Sequence, residues 1–108
     1  MAVELTGDNY DIEVIKSILP VMVDFWGPQC RPCLSLMPAV EQLEKEYAGK
    51  IKVAKLNPAA GNRMLCAKLR VLSLPTFLFY RNGVEIKRLS GDHVTKDDLL
   101  EAINEVAV

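Results

Sequence analysis

The sequence feature that most restricts the fold is a nearly continuous apolar run, Val-Met-Val-Asp-Phe-Trp, at residues 21–26. Its β-branched and aromatic side chains favour a strand, and the lack of alternation is typical of a strand buried on both faces. A sheet that buries both faces is covered by helices on either side. The run therefore predicts an α/β fold with a central strand at this position.

The rest of the chain alternates between helical and strand spacing of its apolar residues. After a first short strand, helices are predicted at residues 8–19, 63–69 and 95–106, and further strands at residues 51–56, 76–80 and 84–89. Another helix is predicted before Gly49, with a buried apolar stripe formed by Leu36, Val40, Leu43 and Tyr47. The order β, α, β, α, β, α, β, β, α predicts a central mixed β-sheet of about five strands flanked by about four helices. The last two strands are expected to be antiparallel.

The first helix is predicted from three apolar residues. Ile12, Ile15 and Leu19 fall three and four positions apart, so we expect this face to be buried. Proline cannot continue a helix, and Pro20 is therefore the predicted end.

Two turn signals lie in the second half of the chain. Asn82-Gly83 suits the positive φ angles of a type I′ turn and predicts a hairpin between the last two strands. Thr95 is a predicted N-cap, and Asp98 is its capping-box partner. The last helix is thus expected to begin directly after Thr95.

Composition limits the possible functions. The 108 residues, 50% apolar and 25% charged, fit a single globular domain spanning 1–108, which we expect to act as a monomer. With 13 basic and 14 acidic residues the net charge is -1, so we expect no nucleic-acid and no membrane partner. We also expect no signal peptide, because the first residues lack a long apolar stretch. Three cysteines are too few for a secreted disulfide framework, which favours a cytoplasmic location.

Cys30 and Cys33 carry the clearest chemical signal. They follow the predicted central strand at the start of a predicted helix. Unpaired N–H groups and the helix dipole stabilise a thiolate at that position. The two-residue gap lets Cys33 attack a mixed disulfide formed on Cys30. The motif therefore predicts thiol-disulfide exchange.

Two other interpretations of the cysteines are weaker. A zinc site needs two more ligands, and the remaining candidates, Cys66 and His93, are not in a paired motif. A purely structural disulfide over so short a loop would stabilise the fold little. Cys66 is interpreted as a core side chain and His93 as a solvated loop residue.

Asp24 interrupts the apolar strand and needs an explanation, because an isolated buried charge is costly. It can be an outward-facing residue or the ion-pair partner of Lys55. Alternatively, it is a buried carboxyl group with a raised pKa that exchanges a proton with Cys33.

Several motifs together resemble the thioredoxin family over essentially the whole chain. They are Val-Asp-Phe-Trp at 23–26, Cys-Arg-Pro-Cys at 30–33, Pro38, Lys-Leu-Asn at 55–57, Leu-Pro-Thr at 74–76 and Arg-Asn-Gly at 81–83. The resemblance implies the thioredoxin fold, with Cys30 as the nucleophile and Cys33 as the buried resolving cysteine. It also implies that Asp24 lies beneath the dithiol beside Lys55, and that Pro75 is a cis-proline facing it.

The active-site loop departs from the usual family pattern. The family commonly has tryptophan before the first cysteine and glycine after it, whereas this chain has Gln29 and Arg31. We therefore expect altered partner choice. By resemblance, the substrate-binding residues are Trp26, Gln29, Arg31, Pro32, Leu74, Pro75 and Gly91.

The function predicted from these features is reduction of protein disulfides through a Cys30/Cys33 dithiol-disulfide cycle. The resemblance implies disulfide-containing protein substrates, a thioredoxin reductase or another external electron donor, and no bound cofactor or metal. The alternative is a thioredoxin-like binding or regulatory module with little turnover of its own.

Overall fold

Five strands form one mixed sheet in the computed structural model, which describes residues 2–107. Met1 and Val108, the ends of the predicted domain, lie outside the described residues. The strands are β1 (Val3–Glu4), β2 (Val21–Phe25), β3 (Lys52–Leu56), β4 (Thr76–Arg81) and β5 (Val84–Ser90), in the spatial order β1-β3-β2-β4-β5.

Strand β2 occupies the centre of this sheet. It pairs in parallel with β3 and antiparallel with β4, while β1 and β5 form the two edges. All five residues of β2 are buried. The central strand predicted from the apolar run is confirmed, as is the antiparallel pairing of the last two strands.

Helices cover both faces of the sheet, as predicted. A short π-helical segment, Asp11–Ile15, precedes helices α1 (Arg31–Glu46), α2 (Arg63–Lys68) and α3 (Lys96–Val106). The π-helical segment, α2 and one face of the sheet share one apolar core, and α1 and α3 share another with the opposite face.

The alternation of side chains along β2 decides which residues lie beneath α1. Val21, Val23 and Phe25 pack into the core on the α2 side. Met22 packs with residues of α1 and α3 on the other side. Because successive strand residues point to opposite faces, Asp24 shares the face of Met22. The chain thus places a buried carboxyl group on the α1 side of the sheet.

The predicted buried face of the first helix is wrong. Ile12 is 63% exposed, whereas Tyr10 and Val14 are buried. The backbone N–H of Lys16 bonds to the carbonyl of Asp11, five residues back, so the turn is wider than an α-helix and the segment ends before Pro20. Tyr10 is held in the core by a 2.8 Å hydrogen bond to the Tyr80 hydroxyl, which an apolar pattern does not reveal.

Both turn signals are confirmed. Asn82 and Gly83 have φ angles of 52° and 78°, as a type I′ turn requires. Gly83 also lies so close to the Ile15 carbonyl that an added Cβ would approach its oxygen to 2.7 Å. Thr95 and Asp98 form the complete capping box at the start of α3.

Candidate active site

Cys30 is the N-cap residue of α1. Its backbone is extended, and its Sγ accepts a 3.2 Å hydrogen bond from the N–H of Cys33. Pro32 lies in the first turn, where a missing N–H group removes no helical hydrogen bond. The sulfur of Cys30 therefore sits at the positive end of a helix dipole, which favours its thiolate in the reduced protein.

Cys30 and Cys33 form a disulfide, with their Cα atoms 5.3 Å apart. The two cysteines differ in exposure, because Cys33 is 2% exposed and Cys30 is only half-buried. Cys66 is free and buried, and burial raises its thiol pKa. An incoming disulfide can therefore reach Cys30 more easily than either of the other two sulfurs.

A row of charged residues crosses the sheet on the α1 side. Glu4 of β1 is the register partner of Lys55 of β3, and Lys55 is the register partner of Asp24 of β2. Register partners on neighbouring strands point to the same face of the sheet. A lysine thus separates two carboxyl groups in this row.

Asp24 has an unusual environment for a carboxyl group. It is 2% exposed, and its pKa is raised from 3.8 to about 7. Burial is the largest cause; the charge of Lys55 opposes it and that of Glu4 adds to it. The outward-facing alternative for Asp24 is therefore wrong.

No ion pair joins Lys55 to Asp24 or Glu4 within the described part of the chain. The Lys55 ammonium instead lies 5.5 Å from the centroid of the Trp26 ring, which is within cation–π distance. Asp24 Oδ1 and Trp26 Nε1 are buried and have no hydrogen-bond partner among residues 2–107. Asp24 thus retains free proton-accepting capacity.

A groove of about 670 Å³ opens beside Cys30. Its walls come from the active-site loop, the turn after β3, one side of α2 and the segment before β4. Among the predicted substrate-binding residues, Gln29 and Leu74 line this groove with Cys30.

The other predicted substrate-binding residues lie outside the groove lining. Trp26 directly follows β2, and Arg31 and Pro32 begin α1. The Leu74–Pro75 peptide bond is cis, as predicted, and the N–H of Gly91 donates a 3.0 Å hydrogen bond to the Pro75 carbonyl. The roles of all these residues in binding stay predictions.

Sequence reasoning missed two residues at the site. Glu4 lies beside Lys55 because the two-residue strand β1 pairs with β3. No sequence pattern predicts the register of so short a strand. Arg63 enters the groove wall because α2 folds back beside Cys30, 33 positions away in sequence.

A half-exposed cysteine at a helix N-terminus, bonded to a buried cysteine one turn later, defines a thiol-disulfide oxidoreductase. The family model "Thioredoxin" matches residues 1–105, and the chain belongs to the thioredoxin family.

Curated relatives agree with this family assignment. The chain is 38% identical to a thioredoxin of Rickettsia bellii over 104 residues, which are 96% of this chain and 97% of that protein. It is 37% identical to a thioredoxin of Acetoanaerobium sticklandii over 97% of this chain and 94% of that protein. A chloroplastic M-type thioredoxin of Spinacia oleracea is 42% identical over 85% of this chain and 50% of its own length.

Within residues 2–107, no helix has the length and apolar character needed to cross a membrane. The same residues contain no group of three or more His, Cys, Asp or Glu placed to hold a metal ion. The redox-active group that the structure does contain is the Cys30–Cys33 disulfide.

Proposed function

We propose that this thioredoxin reduces disulfide bonds of other proteins in the cytoplasm, with Cys30 as the attacking thiol and Cys33 as the resolving thiol. The unequal exposure of the two bonded cysteines carries this proposal. The cytoplasmic location rests on the small number of cysteines in the sequence.

In the first step, the Cys30 thiolate attacks one sulfur of a substrate disulfide. A bond forms between Cys30 Sγ and that sulfur, the substrate S–S bond breaks, and the second substrate sulfur leaves as a thiolate. The N–H groups at the start of α1 favour the Cys30 thiolate over the thiol. This position gives Cys30 its reactivity near neutral pH.

In the second step, Cys33 attacks Cys30 Sγ and releases the reduced substrate. Cys33 must lose its proton to do so, and Asp24 is proposed to accept it directly or through water. A carboxyl group with a pKa of about 7 can take up and return a proton near neutral pH. Lys55 moderates this pKa, because its positive charge favours the ionised form of Asp24.

The cycle closes when an external donor, such as a thioredoxin reductase, supplies two electrons to the Cys30–Cys33 disulfide. Asp24 returns its proton to Cys33, so that Cys30 is again a thiolate and Cys33 a thiol. No bound cofactor enters these steps, since the two cysteines carry the electrons themselves. We propose that the protein acts as a monomer, without a nucleic-acid or membrane partner.

The test is reduction of insulin disulfides with dithiothreitol as the donor. We expect turnover above the uncatalysed rate, loss of turnover in Cys30→Ser, and a trapped mixed disulfide on Cys30 in Cys33→Ser. Ala48→Ser is the control and is expected to keep its activity, because it introduces the same serine side chain at an exposed position after α1, outside the groove lining. An inactive wild-type protein would contradict the proposal and favour a binding module.

A further inference from the structure

The groove beside Cys30 has mainly apolar walls. Pro28, Ala59, Val71 and Leu74 contribute to them, together with Leu72, which is 89% exposed. The volume of about 670 Å³ lies within the range of small-molecule and peptide binding clefts. Exposed apolar walls of this size favour an occupant that covers them.

The charged residues around the groove are positive. Arg63 is the charged residue of the lining, and no acidic residue lines the groove within the described range. A second cation, Arg31, directly follows Cys30 and is exposed. Neither arginine has a hydrogen-bond or ion-pair partner from its side chain among residues 2–107. The neighbourhood of the reactive sulfur is therefore cationic, although the whole chain has a net charge of -1.

We propose that Arg63 and Arg31 make this groove select substrate segments that carry a carboxylate close to the reacting cysteine. This inference rests on the proposed function and adds the substrate class. A mixed disulfide on Cys30 holds the flanking substrate residues at the mouth of the groove. Their apolar side chains cover Leu72 and its neighbours.

A substrate carboxylate supplies the partner that the two arginines lack. Guanidinium groups bind carboxylates in a bidentate geometry, and a substrate lysine at the same place would be repelled. Charges at the rim of an interface select partners and change association rates more than they change final affinity. The expected effect is therefore a preference in the rate of attack on the substrate disulfide.

The experiment uses three peptides, each with a single cysteine. They differ only at the position beside that cysteine, which is Glu, Gln or Lys. Each cysteine is bonded to thionitrobenzoate, a good leaving group, and the protein carries Cys33→Ser, so that thionitrobenzoate left on Cys30 is not released. Release of the coloured thiolate then reports attack of Cys30 on the peptide sulfur. The rate for each peptide is divided by the rate at which dithiothreitol, used in place of the protein, attacks the same peptide. This ratio removes the effect of the neighbouring charge on the reactivity of the peptide sulfur itself. We expect the order Glu, Gln, Lys, with about a two- to fivefold step for each change of charge at low salt. Added salt should reduce the steps.

Arg63→Glu, made in the same background, should remove most of the preference for the Glu peptide over the Lys peptide, because the new carboxylate offsets the charge of Arg31. Lys68→Glu is the matched control, because it makes the same charge change on α2 outside the groove lining. It is expected to leave the order unchanged.

Equal normalised rates for the three peptides would overturn the proposal, as would equal effects of Arg63→Glu and Lys68→Glu. A groove covered by a second copy of this chain would also overturn it, and sedimentation of the reduced protein detects that dimer. Failure of the proposed function would give a different result, because the wild-type protein would then release no thionitrobenzoate from any peptide.

Discussion

Burial of Asp24 is expected to make the stability of the oxidised protein depend on pH. The pKa of Asp24 is about 7 in the folded protein, compared with 3.8 for an ordinary aspartate, chiefly because the group is buried. The folded chain therefore holds this proton more tightly than the unfolded chain does, and ionisation favours unfolding. The decrease in unfolding free energy caused by Asp24 is small below pH 4, grows between pH 4 and 7, and is constant above pH 7.

Asp24→Asn removes the ionisable group and retains its shape. A pKa difference of about 3 units corresponds to about 4 kcal/mol of unfolding free energy at pH 8, but to only about 0.5 kcal/mol at pH 4. We expect the oxidised variant to be more stable than the wild type by up to this amount at pH 8. The two proteins should have nearly the same stability at pH 4.

Urea unfolding monitored by Trp26 fluorescence, at several pH values from 4 to 8, measures this difference. Asp92→Asn is the matched control, since it neutralises an exposed aspartate near the end of β5. Its stability difference from the wild type should be small at every pH. A pH-independent difference for Asp24→Asn would refute the reasoning, because it would show that Asp24 has the same proton affinity in the folded and unfolded chains.

Three further changes have definite expected outcomes. Glu4→Gln removes a charge that raises the pKa of Asp24, so the pH midpoint of the stability change should move lower; an unmoved midpoint would contradict the coupling. Arg31→Gln removes the cation that directly follows Cys30 and should lower the reduction potential by roughly 10 to 50 mV, measured against glutathione at low and high salt. No change in potential would mean that Arg31 points away from the sulfur. Thr95→Ala breaks the capping box and should lower the unfolding free energy by about 1 kcal/mol, and an unchanged urea midpoint would argue against this cap.

Much of the fold follows from local patterns in the chain. The β2 run, the apolar stripe of α1 and the capping signal of α3 each lie within one element. Each can therefore be predicted without knowing which elements pack against it. The π-helical segment is different. Tyr10, directly before this segment, is buried and hydrogen-bonded to Tyr80, 70 positions away, whereas the apolar Ile12 within the segment is exposed to solvent.

The candidate site also contains residues that can be predicted from the local sequence and others that cannot. Cys30 and Cys33 lie within one helical turn, so their chemistry is visible in four consecutive residues. Asp24 is visible because a carboxylate in an apolar strand is unusual. The effect of Glu4 on Asp24 depends on the pairing of a two-residue strand, which only the assembled sheet supplies.

Chemistry and partner choice in this protein thus depend on different parts of the chain. The redox step needs one helix N-terminus and the strand beneath it, which local sequence specifies. The groove beside Cys30 combines Gln29 with Arg63 and Leu72, which are far apart in sequence and meet only after α2 folds against the sheet. Substitutions on α2 can therefore alter the preferred substrate while the dithiol, Asp24 and the start of α1 stay unchanged. This separation is why Arg63→Glu should weaken the preference among peptides without abolishing disulfide exchange.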